Sequence, residues 1–285
     1  MTPVTPKIDA HQHFWRYRRA DHGWIDPAGP LARDWLPADL RPLLAASGFA
    51  GCIAVQAMQD EAETDWLLAL ARSDPWIMGV VGWTDVTAPD LDRRLNCWAG
   101  TRLVGLRHMV QDDPDPAWLL RADAQAGVRD LRRRGLAYDI LVRGAQLPHV
   151  PAFLDAVAGE EGDGALVLDH AGKPGIAAGE WQPWAGLVAA VARHPAVSCK
   201  LSGLVTEADH DGWTADGIAR YLDHLLASFG PARLMFGSDW PVCLLAADHR
   251  RVVDLVEDFV ARTCPAHRDA IFGGTARKAY RLEEH

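Results

Sequence analysis

The stretch Lys7-Ile8-Asp9-Ala10-His11-Gln12-His13-Phe14 reads as a strand, and what surrounds it decides the fold. Side chains on an extended strand alternate with a period of two, so His11 and His13 are expected on one face, with Asp9 below them on the same face. Two imidazoles held side by side are half of a metal site. Taken alone, the pair equally fits exposed or hydrogen-bonded histidines near a terminus. The partners delivered by the rest of the chain settle its meaning.

Downstream, short apolar runs recur as buried strands: Gly51 to Met58, Ile77 to Thr84, Leu103 to Val110, Leu136 to Val142, Ala165 to Gly172, Val197 to Gly203 and Leu234 to Trp240. Between them lie amphipathic helical segments, among them Glu61 to Arg72, Pro116 to Arg134, Val150 to Gly159, Trp181 to Arg193, Ala215 to Phe229 and Ala247 to Arg262. Each strand and helix pair takes about thirty residues, and no linker or charge block interrupts the alternation. With the first stretch included there are eight strands, and the 285 residues suit one slightly distorted α/β (β/α)₈ barrel, which needs roughly 250. A single domain over 1–285 is therefore expected. A doubly wound sheet competes, but no Gly-x-Gly-x-x-Gly turn follows an early strand. Ala266 to Arg281 reads as a helix closing the rim or base. The segment from Phe14 to Pro42, with Trp15, Trp24 and Trp35, shows no clean period and reads as a long loop, either functional or a plug.

Composition narrows the class. Hydrophobic residues at 49% and charged residues at 24% fill a sizeable core and exclude disorder. A formal net charge of −9 argues against nucleic acid or an anionic membrane as partner. The five cysteines, Cys52, Cys97, Cys199, Cys243 and Cys264, are scattered and odd in number, as expected of reduced thiols. Neither a signal-peptide pattern nor an apolar run of the ~20 residues that span a bilayer is visible, so a cytoplasmic protein is expected.

In a (β/α)₈ barrel the C-terminal strand ends converge on one mouth, where chemistry is placed. Strand four ends in Arg107-His108, strand six in Leu168-Asp169-His170-Ala171-Gly172-Lys173-Pro174, strand seven in Lys200-Leu201-Ser202-Gly203, and strand eight in Phe236-Gly237-Ser238-Asp239-Trp240-Pro241. Singly, His170 reads as a structural histidine and Asp239 as a turn or helix cap. Together with His11 and His13 they read as one active site.

The His11-x-His13 pair, the Asp-His170-Ala-Gly-Lys-Pro run, Lys200-Leu-Ser-Gly and Gly-Ser-Asp239-Trp-Pro, in this order, resemble the amidohydrolase superfamily. Within it they resemble the amidohydrolase-2 branch of sugar lactonases, which includes the L-fuconolactonases and L-rhamnonolactonases. The resemblance runs from about Ile8 to Tyr280 and departs from two-metal members at two points. Strand four carries Arg107 where a bridging lysine is expected, and no histidine closes strand five. It therefore implies one divalent ion, zinc by its donor set, held by His11, His13 and Asp239, or none.

The implied reaction is hydrolysis of a sugar lactone such as L-fuconolactone to its aldonic acid. Asp239 would be the general base, and His170 a fourth ligand or a proton donor. Arg107, His108, Lys173, Gln56 and Trp240 are candidates to hold the sugar, with a structural role equally open for Gln56 and Trp240. Ser202 has no paired histidine in sequence and no Gly-x-Ser-x-Gly elbow exists, so a serine nucleophile is not expected. The implied partner is a small-molecule lactone, in a monomer or homodimer. The alternatives are a metal-dependent decarboxylase of the same superfamily and a non-catalytic barrel that binds a sugar acid.

Overall fold

The computed structural model describes residues 5–159 and 163–282. Eight strands form one sheet in sequential order: β1 (Lys7–Gln12), β2 (Phe49–Val55), β3 (Ile77–Gly82), β4 (Leu103–His108), β5 (Ala137–Ile140), β6 (Leu166–Leu168), β7 (Val197–Leu201) and β8 (Leu234–Phe236). Neighbours from β1 to β8 pair in parallel. The ring closes between β8 and β1 through the backbone at Gln12 and Trp240. The molecule is thus the (β/α)₈ barrel expected from the alternating pattern.

Helices α1 (Pro37–Ala46), α2 (Glu61–Ser73), α3 (Leu91–Cys97), α4 (Ala122–Arg133), α5 (Val150–Val157), α6 (Trp184–Ala192), α7 (Ala215–Phe229) and α8 (His249–Thr263) wrap the sheet. Several starts are fixed by side-chain oxygens that accept otherwise unpaired amides: Asp60 from Ala62 in α2, Thr214 from Gly217 in α7 and Asp248 from Arg251 in α8. Two helices, α1 and α3, escape the sequence reading. The first begins inside the supposed loop and carries Pro42 internally; the second is only seven residues long. Among the described residues no helix is long and apolar enough to cross a membrane.

The apolar core has two parts. The larger lies between sheet and helices; the smaller fills the barrel's base with Ile8, Ala10, Ile53, Val55, Val81, Val167 and Met235. The C-terminal segment closes that base. It is not one helix but a 3₁₀ turn (Pro265–His267), a wide five-residue turn (Ala270–Gly274) and α9 (Thr275–Ala279). Gly273 lets this segment press against the chain before β1, because a Cβ there would lie 2.4 Å from the Pro6 carbonyl oxygen. Ala276, Ala279 and Tyr280 then pack up into the barrel.

Candidate active site

The first strand is irregular where it matters. Pairing between β1 and β2 slips between Asp9 and Gln12, which is a bulge and reverses side-chain alternation locally. Asp9 therefore does not share a face with His11, as strict alternation predicts. Its Oδ2 lies 3.8 Å from Nε2 of His249 on the outer helix α8, while His11 points into the barrel. His11 Nε2 and His13 Nε2 are 3.2 Å apart. Asp239 Oδ1 lies 3.8 Å from His11 Nε2, 3.4 Å from His13 Nε2 and 4.0 Å from His170 Nε2. Strands one, six and eight thus converge on one carboxylate oxygen.

Strand six is shorter than its apolar run suggests. After Leu168 the chain turns, and His170, Ala171, Gly172 and Lys173 all take left-handed φ values between 49° and 67°. Each non-glycine in that region costs on the order of 1 kcal/mol. Tertiary bonds hold the turn: Trp184 Nε1 donates to the Ala171 carbonyl at 2.8 Å, and Ser202 Oγ lies 2.8 Å from His170 Nδ1. Ser202 is therefore paired with a histidine after all, across 32 residues. Gly203 makes the approach possible, since a Cβ there would sit 2.7 Å from His170 Nδ1. Asp239, too, is left-handed, at φ 57°.

Hydrogen bonding fixes how the imidazoles face the site. His13 Nδ1 is 2.8 Å from the Val55 carbonyl, which can only accept, so neutral His13 turns a lone pair on Nε2 toward His11 and Asp239. A lone pair facing a carboxylate oxygen at 3.4 Å calls for a positive charge between them. Burial and the nearby Lys200 push His11 well below the usual histidine range, and burial, partly opposed by Asp239, lowers His170 to about 4. Burial alone would raise Asp239, but His170, His13 and His11 hold it below the usual carboxylate range. Near neutral pH His11 and His170 are neutral imidazoles beside an ionised Asp239, the protonation states a divalent ion binds.

Beneath lies a charge network that the sequence reading did not assign. Lys200, fully buried, pairs with Asp139, lies 2.9 Å from Asp169 Oδ1 and 3.0 Å from His11 Nδ1. Arg107 Nη1 donates to Asp169 Oδ2 at 3.0 Å and lies 3.3 Å from His11 Nε2. Lys200, Arg107 and His11 hold Asp169 well below its ordinary value against the effect of burial. Tyr280 donates to Asp139 from the closing segment. Two cations thus pair with Asp139 and Asp169, while among the described residues the Asp239 side chain is met by imidazoles alone, which leaves room for one added cation. The ligand atoms of His11, His13 and Asp239 lie within 4.8 Å of one another, as do those of His11, Asp169 and His170. The residues present therefore fit a metal ion, and they include Asp169, which was not anticipated.

The five sugar-binding candidates separate. Arg107 reaches the cluster. Gln56 sits behind it, donating to the Arg107 carbonyl and accepting from Nη2 at 3.2 Å. Trp240 is turned away from the cluster, its ring edge-on to Trp35 at 5.1 Å and near Phe14, so its contacts are those of a support. His108 stacks on Trp118 at 4.1 Å and bonds to Asp113, in a cluster of its own. Lys173 faces Glu207 at 3.4 Å. A cavity of about 970 Å³ at the opposite end of the barrel, lined by Met78, Arg102 and Tyr280 among others, holds none of the groups that surround Asp239.

A (β/α)₈ barrel with a histidine–aspartate centre at its C-terminal mouth is the framework of a hydrolase that polarises a carbonyl beside an activated water. The chain belongs to the Amidohydrolase family, whose profile matches residues 8–282. It is 47% identical to the L-fucono-1,5-lactonase of Burkholderia multivorans over 290 residues, covering 98% of this chain and 97% of the relative. With the L-fucono-1,5-lactonase of Burkholderia ambifaria it shares 35% identity over 287 residues, at 98% and 97% coverage. A solved amidohydrolase from Burkholderia multivorans with bound zinc superposes with a TM-score of 0.90 at 46% identity, covering 98% of this chain and all of that one.

Proposed function

We propose that this protein is a lactonase that hydrolyses L-fucono-1,5-lactone, or a closely similar aldonolactone, to the aldonic acid. The observation that carries the reading is the convergence of His11, His13 and His170 on Asp239 Oδ1 at 3.4–4.0 Å, in a chain 47% identical to a protein named for that reaction.

Water adds across the acyl–oxygen bond: its hydroxyl joins the carbonyl carbon, and its proton ends on the ring oxygen that leaves as an alcohol. Asp239, ionised near neutral pH, is the base that takes the proton and returns it to the leaving oxygen. Arg107 aims Nη1 into the cluster and is the donor assigned to the carbonyl oxygen as it gains charge. With Ser202 donating to His170 Nδ1, the hydrogen on Nε2 faces Asp239 and orients its carboxylate. His108 and Lys173 are assigned to the lactone hydroxyls, and Gln56 and Trp240 to holding Arg107 and the His13 backbone in place.

A divalent ion, zinc by the example of the solved relative, held by His11, His13 and Asp239 would supply a Lewis acid for the carbonyl and acidify water. The five free cysteines support a reducing compartment such as the cytoplasm. We assign the whole chain to one domain, acting as a monomer or homodimer. A panel of aldonolactones followed by acid release, beside carbon dioxide release from hydroxybenzoic acids, with and without chelator, tests the reading. Acid release highest on L-fucono-1,5-lactone is expected. Carbon dioxide release in its place would turn the assignment to the decarboxylase.

A further inference from the structure

The junction of β8 with β1 is built unlike the other seven. Those pair in parallel strand against strand, with register slips confined to the first three ladders, whereas β8 ends at Phe236 and meets β1 beyond its end. There the Asp239 amide donates to the His11 carbonyl at 2.8 Å and the His13 amide to the Trp240 carbonyl at 2.7 Å. One residue earlier, the Ser238 amide finds no strand carbonyl. It donates to the Asp9 side chain, to Oδ1 at 2.8 Å, and the same oxygen accepts the His11 amide at 3.3 Å. A side-chain oxygen thus stands in for a ladder carbonyl at this seam. The strands are pressed close here, since a Cβ on Gly237 would lie 2.6 Å from the His11 Cβ.

We infer that Asp9 is a positioning residue: its Oδ1, shared between the amides of His11 and Ser238, fixes the placement of His11 relative to Asp239. The carboxylate is fully buried and points away from the cluster toward His249 on α8, so it has no route to a substrate. It holds backbone on both sides of the seam, one residue at His11 itself and the other immediately before Asp239. The inference rests on the proposed hydrolysis only for the kinetic readout.

Two substitutions separate the clamp from its charge. Asp9→Asn keeps a carbonyl oxygen able to accept both amides and removes the charge. Asp9→Ser keeps a short acceptor for the amide two residues on, but cannot span to Ser238. For Asp9→Ser, kcat on L-fucono-1,5-lactone is expected to fall about tenfold or more with KM within about threefold, because a small misplacement of reacting groups is felt in the chemical step. The imidazole nitrogen NMR signals of His11 and His13 are expected to move with it. Asp9→Asn is expected to stay within about threefold of the parent in kcat, with parent-like signals. The inference is overturned if Asp9→Ser matches the parent in kcat and signals and loses only thermal stability, or if Asp9→Asn is as impaired as Asp9→Ser. Should the parent open no lactone, the proposed reaction fails while the NMR comparison still decides on the clamp. Displaced signals in Asp9→Ser alone support it, and unchanged signals refute it.

Discussion

The base and the mouth of the barrel interior are lined by the same strands and built on opposite principles. At the base, Ile8, Ile53, Val55, Val167 and Met235 pack against Tyr280 with no charge among them. Further along, His11, Arg107, Asp139, Asp169, Lys200 and Asp239 are just as buried, each at 4% exposure or less, and almost wholly ionic. The base is favoured simply by removal of apolar surface from water. Burying the upper charges costs several kcal/mol per ion, recovered only through close pairing. The difference teaches where function sits: the fold tolerates an expensive layer only at the end that opens on substrate, above a cheap one that holds it.

Substitutions in the two layers should therefore differ in kind. The largest expected effect is in the mouth, where Asp239→Asn removes the base; kcat for lactone opening should drop about a thousandfold, roughly 4 kcal/mol in barrier, with the circular dichroism spectrum unchanged. Next is Lys200→Met, which leaves Asp139 and Asp169 buried beside a lost cation. Urea denaturation should show a loss of about 3–5 kcal/mol, and adding Asp139→Asn should recover part of it.

Glu63, outside both layers, has an intermediate effect that depends on pH. Its carboxylate accepts the amides of Ala57 and Met58 beyond β2, and burial raises it to about 7 against those bonds. A carboxyl whose pKa is higher folded than unfolded adds stability below its unfolded value of 4.5, and that contribution is lost as pH rises through about 7. The stability difference between the parent and Glu63→Gln should accordingly fall by on the order of 2 kcal/mol between pH 4.5 and 7.5. Equal slopes for the two proteins would contradict the assignment. The smallest effect is expected at the base: Ile53→Val should lower stability by about 1 kcal/mol and leave kcat within about twofold. A base substitution that damaged kcat as Asp239→Asn does would erase the contrast between the layers.

The contrast also shows what a sequence makes legible. Eight apolar runs spaced by helices identify the barrel because burial on both faces writes itself as hydrophobic continuity. His11, His13, His170 and Asp239 are visible because each stands at a strand end where an apolar residue is expected. Asp139, Asp169 and Lys200 offered the same signal, a lone charge in an apolar strand. Their pairing joins β7 to the end of the neighbouring β6 and to β5 beyond it, residues 31 and 61 apart in the chain, as the Asp169–Lys200 and Asp139–Lys200 ion pairs show. Asp9 departs from the face that strict alternation predicts because the bulge after it breaks the two-residue period. Ser202 found its histidine only through the left-handed turn at His170, a conformation that Ala171 and Lys173 do not advertise.

The most direct test of the central claim is acid release from L-fucono-1,5-lactone, followed with a pH indicator, by the parent protein and by Asp239→Asn side by side. Rapid acid release by the parent, reduced to near the uncatalysed rate by the substitution, is the predicted result. A parent no faster than buffer, or an Asp239→Asn protein as fast as the parent, would contradict it.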